Sequence, residues 1–322
     1  MKKRVLLILL TLSLLALTGC GSAPREETVY LSFPTASASG TVYTVSSSLG
    51  NLWNEKCPGV RVSVEASNGG VENLNLIARG ESQMGVAVTS IITDQRSGQG
   101  AFEGHAYDGV RILTALYMNY NQVVVTGSSG INTLADIAGK RFAPGAPGST
   151  TTLETELHLT RAGLRFPEDF TASFVGFTEA VDLMRNRQLD GAWIMAGIPT
   201  SAVSEVCSTA NGHLVSMDEE LIAALSEEYP WYSRAVIPAG TYEGQNEDVI
   251  TTGVTITICI DESVPDEVAY QLVKAMYENL DAVKNIHSAL AGLTVESAVQ
   301  NLAGLPLHEG AARYYLEAGV LD

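Results

Sequence analysis

The stretch RFAPGAPGSTTTLETELHLTRA, residues 141–162, decides the fold of this chain. Its first three residues end an apolar strand, and the following PGAPG at 144–148 cannot continue that strand. A helical repeat of apolar side chains begins directly afterwards, with two leucines on one face. Thr151 and Glu154 fit a capping box, which predicts that the helix starts at Thr151. The segment therefore predicts a strand, a glycine-rich turn and a helix.

This turn is a candidate anion site. The free N–H groups of a helical first turn, together with the positive end of the helix dipole, favour negative charge. The hydroxyls of Ser149, Thr150 and Thr151 lie beside them, and Gly148 lets the backbone approach a ligand closely. A carboxylate suits such a site. A nucleotide-binding P-loop does not fit because no Gly-Lys-Ser/Thr follows the glycines, and an ordinary, well-capped turn is the alternative.

The same order of strands and helices occurs twice, about 110 residues apart. The first copy predicts strands at 28–33, 60–66 and 84–88 with helices at 41–56 and 71–78. The second copy predicts strands at 141–143, 171–175 and 190–194 with helices at 151–162 and 178–186. ENLNLIARGESQMGVAV from Glu72 aligns best, with EAVDLMRNRQLDGAWIM from Glu179. Parallel strands with crossover helices predict an α/β lobe for each copy.

Two further strands predict how the lobes are joined. The apolar run at 122–126 leaves the first lobe, and GVTITICI at 253–260 returns to it. Two crossings predict a hinge with a cleft between two similar βαβ-built lobes. We expect lobe 1 to comprise residues 28–122 and 253–322, and lobe 2 to comprise residues 123–252.

The cleft is the expected ligand site. Loops at the carboxyl ends of parallel strands line such a crevice. The glycine loops at 34–40 and 144–148 both follow predicted strands, so their helix N-termini are expected to face each other. Outside the repeats, the sequence predicts an irregular segment at 229–245, helices at 267–280 and 288–302, and a terminal helix after 306–315.

The N-terminus predicts export. Lys2 to Arg4 are basic and the 13 residues 5–17 are apolar, which is too short for a typical membrane span. Leu17-Thr18-Gly19-Cys20 resembles the bacterial lipoprotein signal. Residues 1–19 are therefore expected to be a signal peptide and 20–27 a tether. Lipid on Cys20 would hold the protein at the outer face of the cytoplasmic membrane or in the periplasm; the alternative is an ordinary signal peptide.

Charge and cysteine content restrict the partners. The net charge is −17, which argues against nucleic acid and anionic lipid as partners because both need basic patches. Cys57, Cys207 and Cys259 are odd in number once Cys20 is lipidated, so at least one is unpaired, and buried free thiols are favoured. No zinc spacing occurs, so no metal site is predicted.

No histidine lies in a hydrolase or metalloprotease motif. His158 is expected at the surface or the edge of the core. We therefore predict that the protein is not an enzyme, with no catalytic residue and no cofactor.

Seven stretches together resemble the TAXI family of solute-binding proteins of TRAP transporters. They are SGTVY (39–43), NGGVENL (68–74), NTLADIAGKR (132–141), GAPGST (145–150), AGIPT (196–200), PAGTYEGQ (238–245) and PLHEGAARYY (306–315). The resemblance covers residues 29–321. It implies a type II periplasmic-binding-protein fold and a monomer that delivers glutamate-like amino acids or related small carboxylates to TRAP permease subunits.

The resemblance also implies ligand contacts at fourteen positions. These are Gly40, Thr41, Tyr43, Asn68, Gly69, Asn73, Thr89, Ser90, Gly148, Ser149, Thr150, Thr151, Ala196 and Gly197. Val42 and Thr44 replace a tyrosine and a proline that are frequent in the family, and Val88 and Ser90 replace Gln and Asp. These departures allow a ligand other than glutamate. A binding protein of an ABC importer, or a sensor component that presents a ligand, would share this fold and stay as alternatives.

Overall fold

The computed structural model describes residues 28–229 and 231–321. Its strands are β1 (Val29–Pro34), β2 (Val60–Glu65), β3 (Met84–Val88), β4 (Val110–Val125), β5 (Arg141–Ala143), β6 (Thr171–Ala172), β7 (Gly191–Ala196), β8 (His213–Val215), β9 (Ser233–Ile237) and β10 (Val249–Asp261). Its helices are α1 (Thr41–Lys56), α2 (Gly70–Ala78), α3 (Thr89–Ser97), α4 (Thr150–Arg161), α5 (Phe177–Arg185), α6 (Ser201–Thr209), α7 (Glu219–Glu228), α8 (Asp266–Glu278), α9 (Leu280–Lys284) and α10 (Glu309–Glu317). The predicted signal peptide, tether and lipidated Cys20 lie outside the described residues.

The sheets combine parallel repeats with two long antiparallel strands. β1 and β2 form a parallel pair, and β5 runs parallel to β6 on one side and to β7 on the other. These pairings confirm the predicted βαβ units. β4 and β10 run antiparallel to each other and to the strands that flank them, so the larger sheet, ordered β3-β10-β4-β7-β5-β6, is mixed.

β4 and β10 change partners at one position, where Tyr120 lies opposite Gly253. The residues of β4 up to this pair are hydrogen-bonded to β10, and the residues from Tyr120 onward pair with β7 and β8. In β10, residues 249–253 pair with β9 and residues 253–261 pair with β4. A side chain at Gly253 would collide with the side chain of Met118 and would require that side chain to move. The change of partners divides the α/β fold into two lobes, and the boundaries of lobe 1 and lobe 2 stay a prediction.

The largest hydrophobic core lies mainly in lobe 1. The α1 residues Val45, Leu49 and Trp53 are fully buried, as their helical spacing predicts. The indole of Trp53 donates a 2.9 Å hydrogen bond to the Leu272 carbonyl, which joins α1 to α8.

Among the described residues no helix combines the length and the apolar character needed to cross a bilayer.

Lobe 2 has helices on both faces of its sheet. On one face, Ile194 of β7 packs with Met184 of α5 and with α6. On the other face, Trp193 packs with Leu159 of α4 and with α7. This two-sided cover is typical of parallel strands, and all six residues of β7 are buried.

Two predictions about the later chain were wrong. The expected helix at 288–302 consists of two single turns, Ser288–Leu290 and Ser297–Val299. Between them, the backbone N–H and side-chain oxygen of Thr294 and Ser297 bond reciprocally, which offers the backbone an alternative to helix. The segment at 229–245, expected to be irregular, contains β9 because β10 supplies a strand for it to pair with.

The cysteine prediction was confirmed for the described residues. Cys57, Cys207 and Cys259 are buried and free. Burial raises the pKa of Cys57 and of Cys207 to about 11, so both thiols stay protonated at neutral pH.

Candidate functional site

A cavity of about 120 Å3 lies between the two lobes. One water needs about 10–15 Å3 of such space, so the cavity suits a small solute and not a peptide. Its described lining residues include no Asp, Glu, Lys, Arg, His or Cys. They are Thr35, Ala36, Ser37, Val42, Ser67, Asn68, Gly69, Gly70, Val86, Ala87, Val88, Asn119, Ala146, Ser149, Thr150, Thr151, Gly176, Phe177, Met195 and Ile256.

The N-terminus of α4 forms one wall, and its cap differs from the prediction. Ser149 is the N-cap residue, and its hydroxyl accepts a 3.2 Å hydrogen bond from the Thr152 N–H. The predicted capping box of Thr151 and Glu154 was wrong, because the helix starts at Thr150 and Glu154 turns inward. Thr150 and Thr151 thereby become first-turn residues that face the cavity.

Because Ser149 is the cap, Ser149→Ala is expected to lower the stability of the unliganded protein by about 1 kcal/mol, the usual effect of losing an N-cap side chain. Thermal unfolding measures this change. Ser208→Ala, the same substitution at an exposed position of α6, serves as the control and should leave Tm unchanged. Equal Tm values for Ser149→Ala and wild type would contradict the assignment of the cap.

The glycine loop before α4 folds tightly onto the helix. Gly145 has φ +120°, and a Cβ there would lie 2.9 Å from the Thr152 nitrogen, so this position requires glycine. The Thr152 and Thr155 hydroxyls donate to the carbonyls of Ala146 and Pro144 at 2.7 and 2.8 Å. These bonds fix the loop beside the cavity.

The N-terminus of α2 forms the opposite wall. A Cβ at Gly70 would lie only 2.7 Å from Thr150 Oγ1, so α2 and α4 meet end to end across the cleft at a glycine. Asn73 holds the loops behind Gly70 in place. Its amide donates to the carbonyls of Thr35 and Val86 at 2.8 and 2.9 Å and accepts from the Ser67 hydroxyl at 2.7 Å.

Three helices therefore begin at this cavity, because α5 adds its N-cap Gly176 and its first residue Phe177. The first N–H groups of each helix have no partner within the helix. The dipoles of α2, α4 and α5 add positive potential without a formal charge. The arrangement suits a small anion in a protein whose surface is strongly acidic.

Two buried polar atoms of the cavity wall have no hydrogen-bond partner among the described residues. They are Thr150 Oγ1, at the start of α4, and Asn119 Oδ1, on β4. A buried polar atom without a partner costs about 1–3 kcal/mol, so such atoms are rare. Both residues belong to the cavity lining.

Five of the predicted ligand residues line the cavity. They are Asn68, Gly69, Ser149, Thr150 and Thr151. Parts of both glycine loops line it too, namely Thr35 to Ser37 and Ala146. The facing pair of N-termini, however, belongs to α2 and α4, and not to α1 and α4 as the sequence led us to expect.

The start of α1 is occupied by contacts between the lobes. The Thr41 hydroxyl donates to the carbonyl of Gly197 at 2.8 Å, and Gly40 is the N-cap of α1. The carbonyl of Ser39 accepts from the hydroxyls of Thr200 and Ser201 in lobe 2. These bonds close the cleft beside the cavity.

The other predicted residues lie outside the cavity lining. Tyr43 is half-buried on α1, and Thr89 lines a separate groove with Trp231. Ser90 is buried on α3, and the carbonyl of Ala196 accepts from the Gln122 amide. Further residues outside the lining are Asn73, which holds the loops as described, and Gly148, which is exposed with φ +70° and open space beside it.

The sequence reasoning did not identify Gly70, Asn119, Phe177 or Met195, which also line the cavity. Two of them carried a signal. Gly70 is the second glycine of NGG, and Asn119 is a buried polar residue in a largely apolar strand. Buried polar positions in a strand indicate either a hydrogen-bond network or a ligand.

Glu154, on α4, belongs to a buried network behind the cavity. Its carboxyl oxygens accept 2.9 Å hydrogen bonds from the Asn121 amide on β4 and from the Tyr232 hydroxyl. The prediction for His158 was wrong, because His158 is fully buried. Its Nδ1 lies 2.7 Å from the Glu154 carbonyl oxygen, and its Nε2 lies 2.8 Å from Thr252 Oγ1 on β10. The network fastens α4 to both crossing strands.

Burial favours the neutral form of both ionisable groups in this network. It raises the pKa of Glu154 from the ordinary 4.5 to about 7 and lowers the pKa of His158 to about 4. Folded Glu154 therefore keeps its proton to a higher pH than the unfolded chain does. The stability contribution of Glu154 falls as the pH rises from about 4.5 to about 7.

Glu154→Gln should remove this pH-dependent loss of folding stability, because the glutamine amide stays neutral at every pH. We expect the stability of the variant, relative to wild type, to rise by about 2 kcal/mol between pH 5 and pH 8, since one unit of pKa shift corresponds to about 1.4 kcal/mol. Urea unfolding at both pH values measures the difference. Glu156→Gln, at an exposed position of the same helix, should show no such trend. A wild-type-minus-variant difference that is independent of pH would contradict the buried network.

Comparisons with known proteins identify a family for this chain. A structure of the alkanesulfonate-binding protein from Xanthomonas axonopodis pv. citri is 15% identical over 90% of this chain and 84% of its own, with a TM-score of 0.47. A putative L-cystine ABC transporter from Listeria monocytogenes is 12% identical over 82% and 96% of the two chains, with a TM-score of 0.49. The model of the NMT1-like family matches residues 33–319. The chain belongs to the NMT1-like family.

Proposed function

We propose that this protein captures a small anionic solute between its two lobes and delivers it to a membrane importer. The observation that carries the proposal is the Thr150 hydroxyl, which lies buried at the N-terminus of α4 against the N-terminus of α2 and has no hydrogen-bond partner within residues 28–229 and 231–321. Three helix N-termini and a buried hydroxyl supply donors for one negative charge. The anion class is a carboxylate or a sulfonate.

The composition of the wall supports binding rather than catalysis. Its described residues offer hydroxyls, amides and apolar groups, but no side chain that exchanges protons near neutral pH. The contacts of Ser39 and Thr41 with Thr200, Ser201 and Gly197 bring lobe 1 onto lobe 2 over the cavity. Release of the solute requires these few hydrogen bonds to break, so that the two lobes can move apart about the crossing strands.

A second part of the proposal concerns the class of importer that receives the solute. The motif resemblance suggests a TRAP permease, whereas the similar protein from Listeria is described as a putative ABC transporter. We propose an ABC importer as the partner to test first and a TRAP permease as the second. Co-purification of the tagged protein with membrane subunits, followed by their identification, distinguishes the two.

We also propose that the protein is exported and attached to the membrane by lipid on Cys20. The carrying observation is Leu17-Thr18-Gly19-Cys20 after a short apolar run. The mass of the mature N-terminal peptide tests it. A peptide that begins at an unmodified residue would rule out the anchor and leave the binding function unaffected.

Thr150→Val tests the site directly, because valine has the shape of threonine without the hydroxyl. A hydrogen bond to a charged group contributes about 1.5–3 kcal/mol, so the affinity for the anion should fall about ten- to a hundredfold. Titration calorimetry against small carboxylates, amino acids and sulfonates identifies the tightest ligand for wild type and then measures the variant. The stability of the free protein should not fall, since an unpartnered buried hydroxyl is removed.

Thr160→Val is the matched control, with the same chemical change at an exposed position of α4. It should bind the anion as wild type does. Equal affinities of Thr150→Val and wild type would place the anion elsewhere and would overturn the proposed function of this cavity.

A further inference from the structure

The side chains that line the cavity restrict the chemical class of its solute. We infer that the solute is a small acid with one negative charge and a neutral hydrogen-bond donor, such as a hydroxyl, in place of the ammonium group of an amino acid. This inference rests on the proposed function. It names the chemical class that the cavity prefers.

The first step concerns charge. An ammonium group needs a carboxylate beside it, and a second carboxylate needs a basic side chain, because burying an unpaired charge is costly. The described lining residues supply neither. The nearest acidic side chain on α2, Glu72, is bonded to the Asn68 N–H and does not line the cavity. The wall therefore compensates one negative charge, at the helix N-termini, and disfavours zwitterions and dianions.

The second step concerns Asn119. Its side chain is 4% exposed, and Oδ1 has no partner among the described residues. Thr150 is similarly buried, at 7% exposure, but its hydroxyl can donate to the anion itself. As placed, the amide presents an oxygen that only accepts, so a donor on the solute would satisfy Asn119. A hydroxyl supplies that donor without adding a charge.

The third step concerns the remaining wall. Val86, Met195 and Ile256 line the cavity together with the ring of Phe177. These side chains favour an apolar body on the solute, because removing apolar surface from water is favourable. The preferred solute is therefore a hydroxy acid with a short apolar side chain.

Three compounds of nearly equal shape test the inference by calorimetry on the full-length protein. They are 2-hydroxy-3-methylbutanoate, 3-methylbutanoate and valine, which carry a hydroxyl, a hydrogen and an ammonium group at the same carbon. The hydroxy acid should bind at least about tenfold more tightly than either of the others. 2-Hydroxyglutarate, with its second charge, should bind more weakly than 2-hydroxy-3-methylbutanoate.

Asn119→Leu completes the test. It should abolish the advantage of the hydroxy acid over 3-methylbutanoate and leave the affinity for 3-methylbutanoate nearly unchanged. Valine or glutamate binding as tightly as the hydroxy acid would overturn the inference, and so would failure of the whole series to bind. In either case, binding of any small anion that Thr150→Val weakens would preserve the proposed function.

Discussion

Gly70→Val should reduce anion binding more than a hundredfold while the protein stays folded. A Cβ at this position would lie 2.7 Å from Thr150 Oγ1 and 3.4 Å from the Cα of Ala87. Valine would therefore clash with Thr150, and the N-termini of α2 and α4 could not keep their present contact. We expect this clash to disturb the anion site at the start of α4 and the contact of Thr150 with the anion. The substitution therefore removes several contacts at once, and each loss of about 1.4 kcal/mol lowers affinity tenfold.

The backbone at Gly70 tolerates the change, because its φ lies outside the left-handed region that favours glycine. Titration calorimetry with the tightest wild-type ligand measures the loss, and circular dichroism checks the fold. Gly292→Val, at an exposed glycine with nothing within 4 Å of its Cβ, should bind normally. Wild-type affinity in Gly70→Val would show that the anion does not lie between these helices.

Gly197→Leu should lower the affinity about a hundredfold by a different route. A Cβ at Gly197 would lie 2.7 Å from the ring of Tyr117 and 3.0 Å from the Thr41 methyl group, and both residues belong to lobe 1. Leucine would therefore hold the lobes apart. Overpacking costs about 1–3 kcal/mol, and the 2.7 Å contact with an aromatic ring places this substitution near the upper value. A closed state destabilised by about 3 kcal/mol is about a hundredfold less populated, and the apparent affinity falls by the same factor.

Small-angle scattering separates this effect from damage to the cavity. Wild type should become more compact when the anion is added, whereas Gly197→Leu should remain extended at the same concentration. Gly292→Leu serves as the control for a leucine at an unconstrained glycine. Full compaction and normal affinity in Gly197→Leu would show that the contact between Thr41 and Gly197 plays no part in capture.

The repeated βαβ pattern could be predicted because it depends on local periodicity. The helix at 41–56 was predicted with the same bounds that the structure gives, and the short helices of both lobes differ by one residue at their ends. The switch of β4 and β10 between the lobes follows the two crossings that the apolar runs indicated. These features could be predicted without knowledge of contacts between residues distant in sequence.

The parts that failed depend on contacts distant in sequence. Glu154 fits a capping box locally, but Asn121 and Tyr232 bond its carboxyl group in the interior, and Ser149 takes the cap instead. Likewise, Thr41 offers a hydroxyl at a helix start, yet Gly197, 156 residues away in sequence, accepts it. Nothing in either local pattern shows which partner the fold brings close.

The structure of the complex with the tightest-binding acid tests the central claim most directly. A crystal of the liganded protein should show the acidic group between α2 and α4, with an oxygen about 2.7–3.2 Å from Thr150 Oγ1. Its body should extend toward Asn119 and Met195. An acid bound without contact to Thr150, for example in the groove lined by Tyr117, Tyr120 and Pro199, would contradict the claim that these helix N-termini hold the anion.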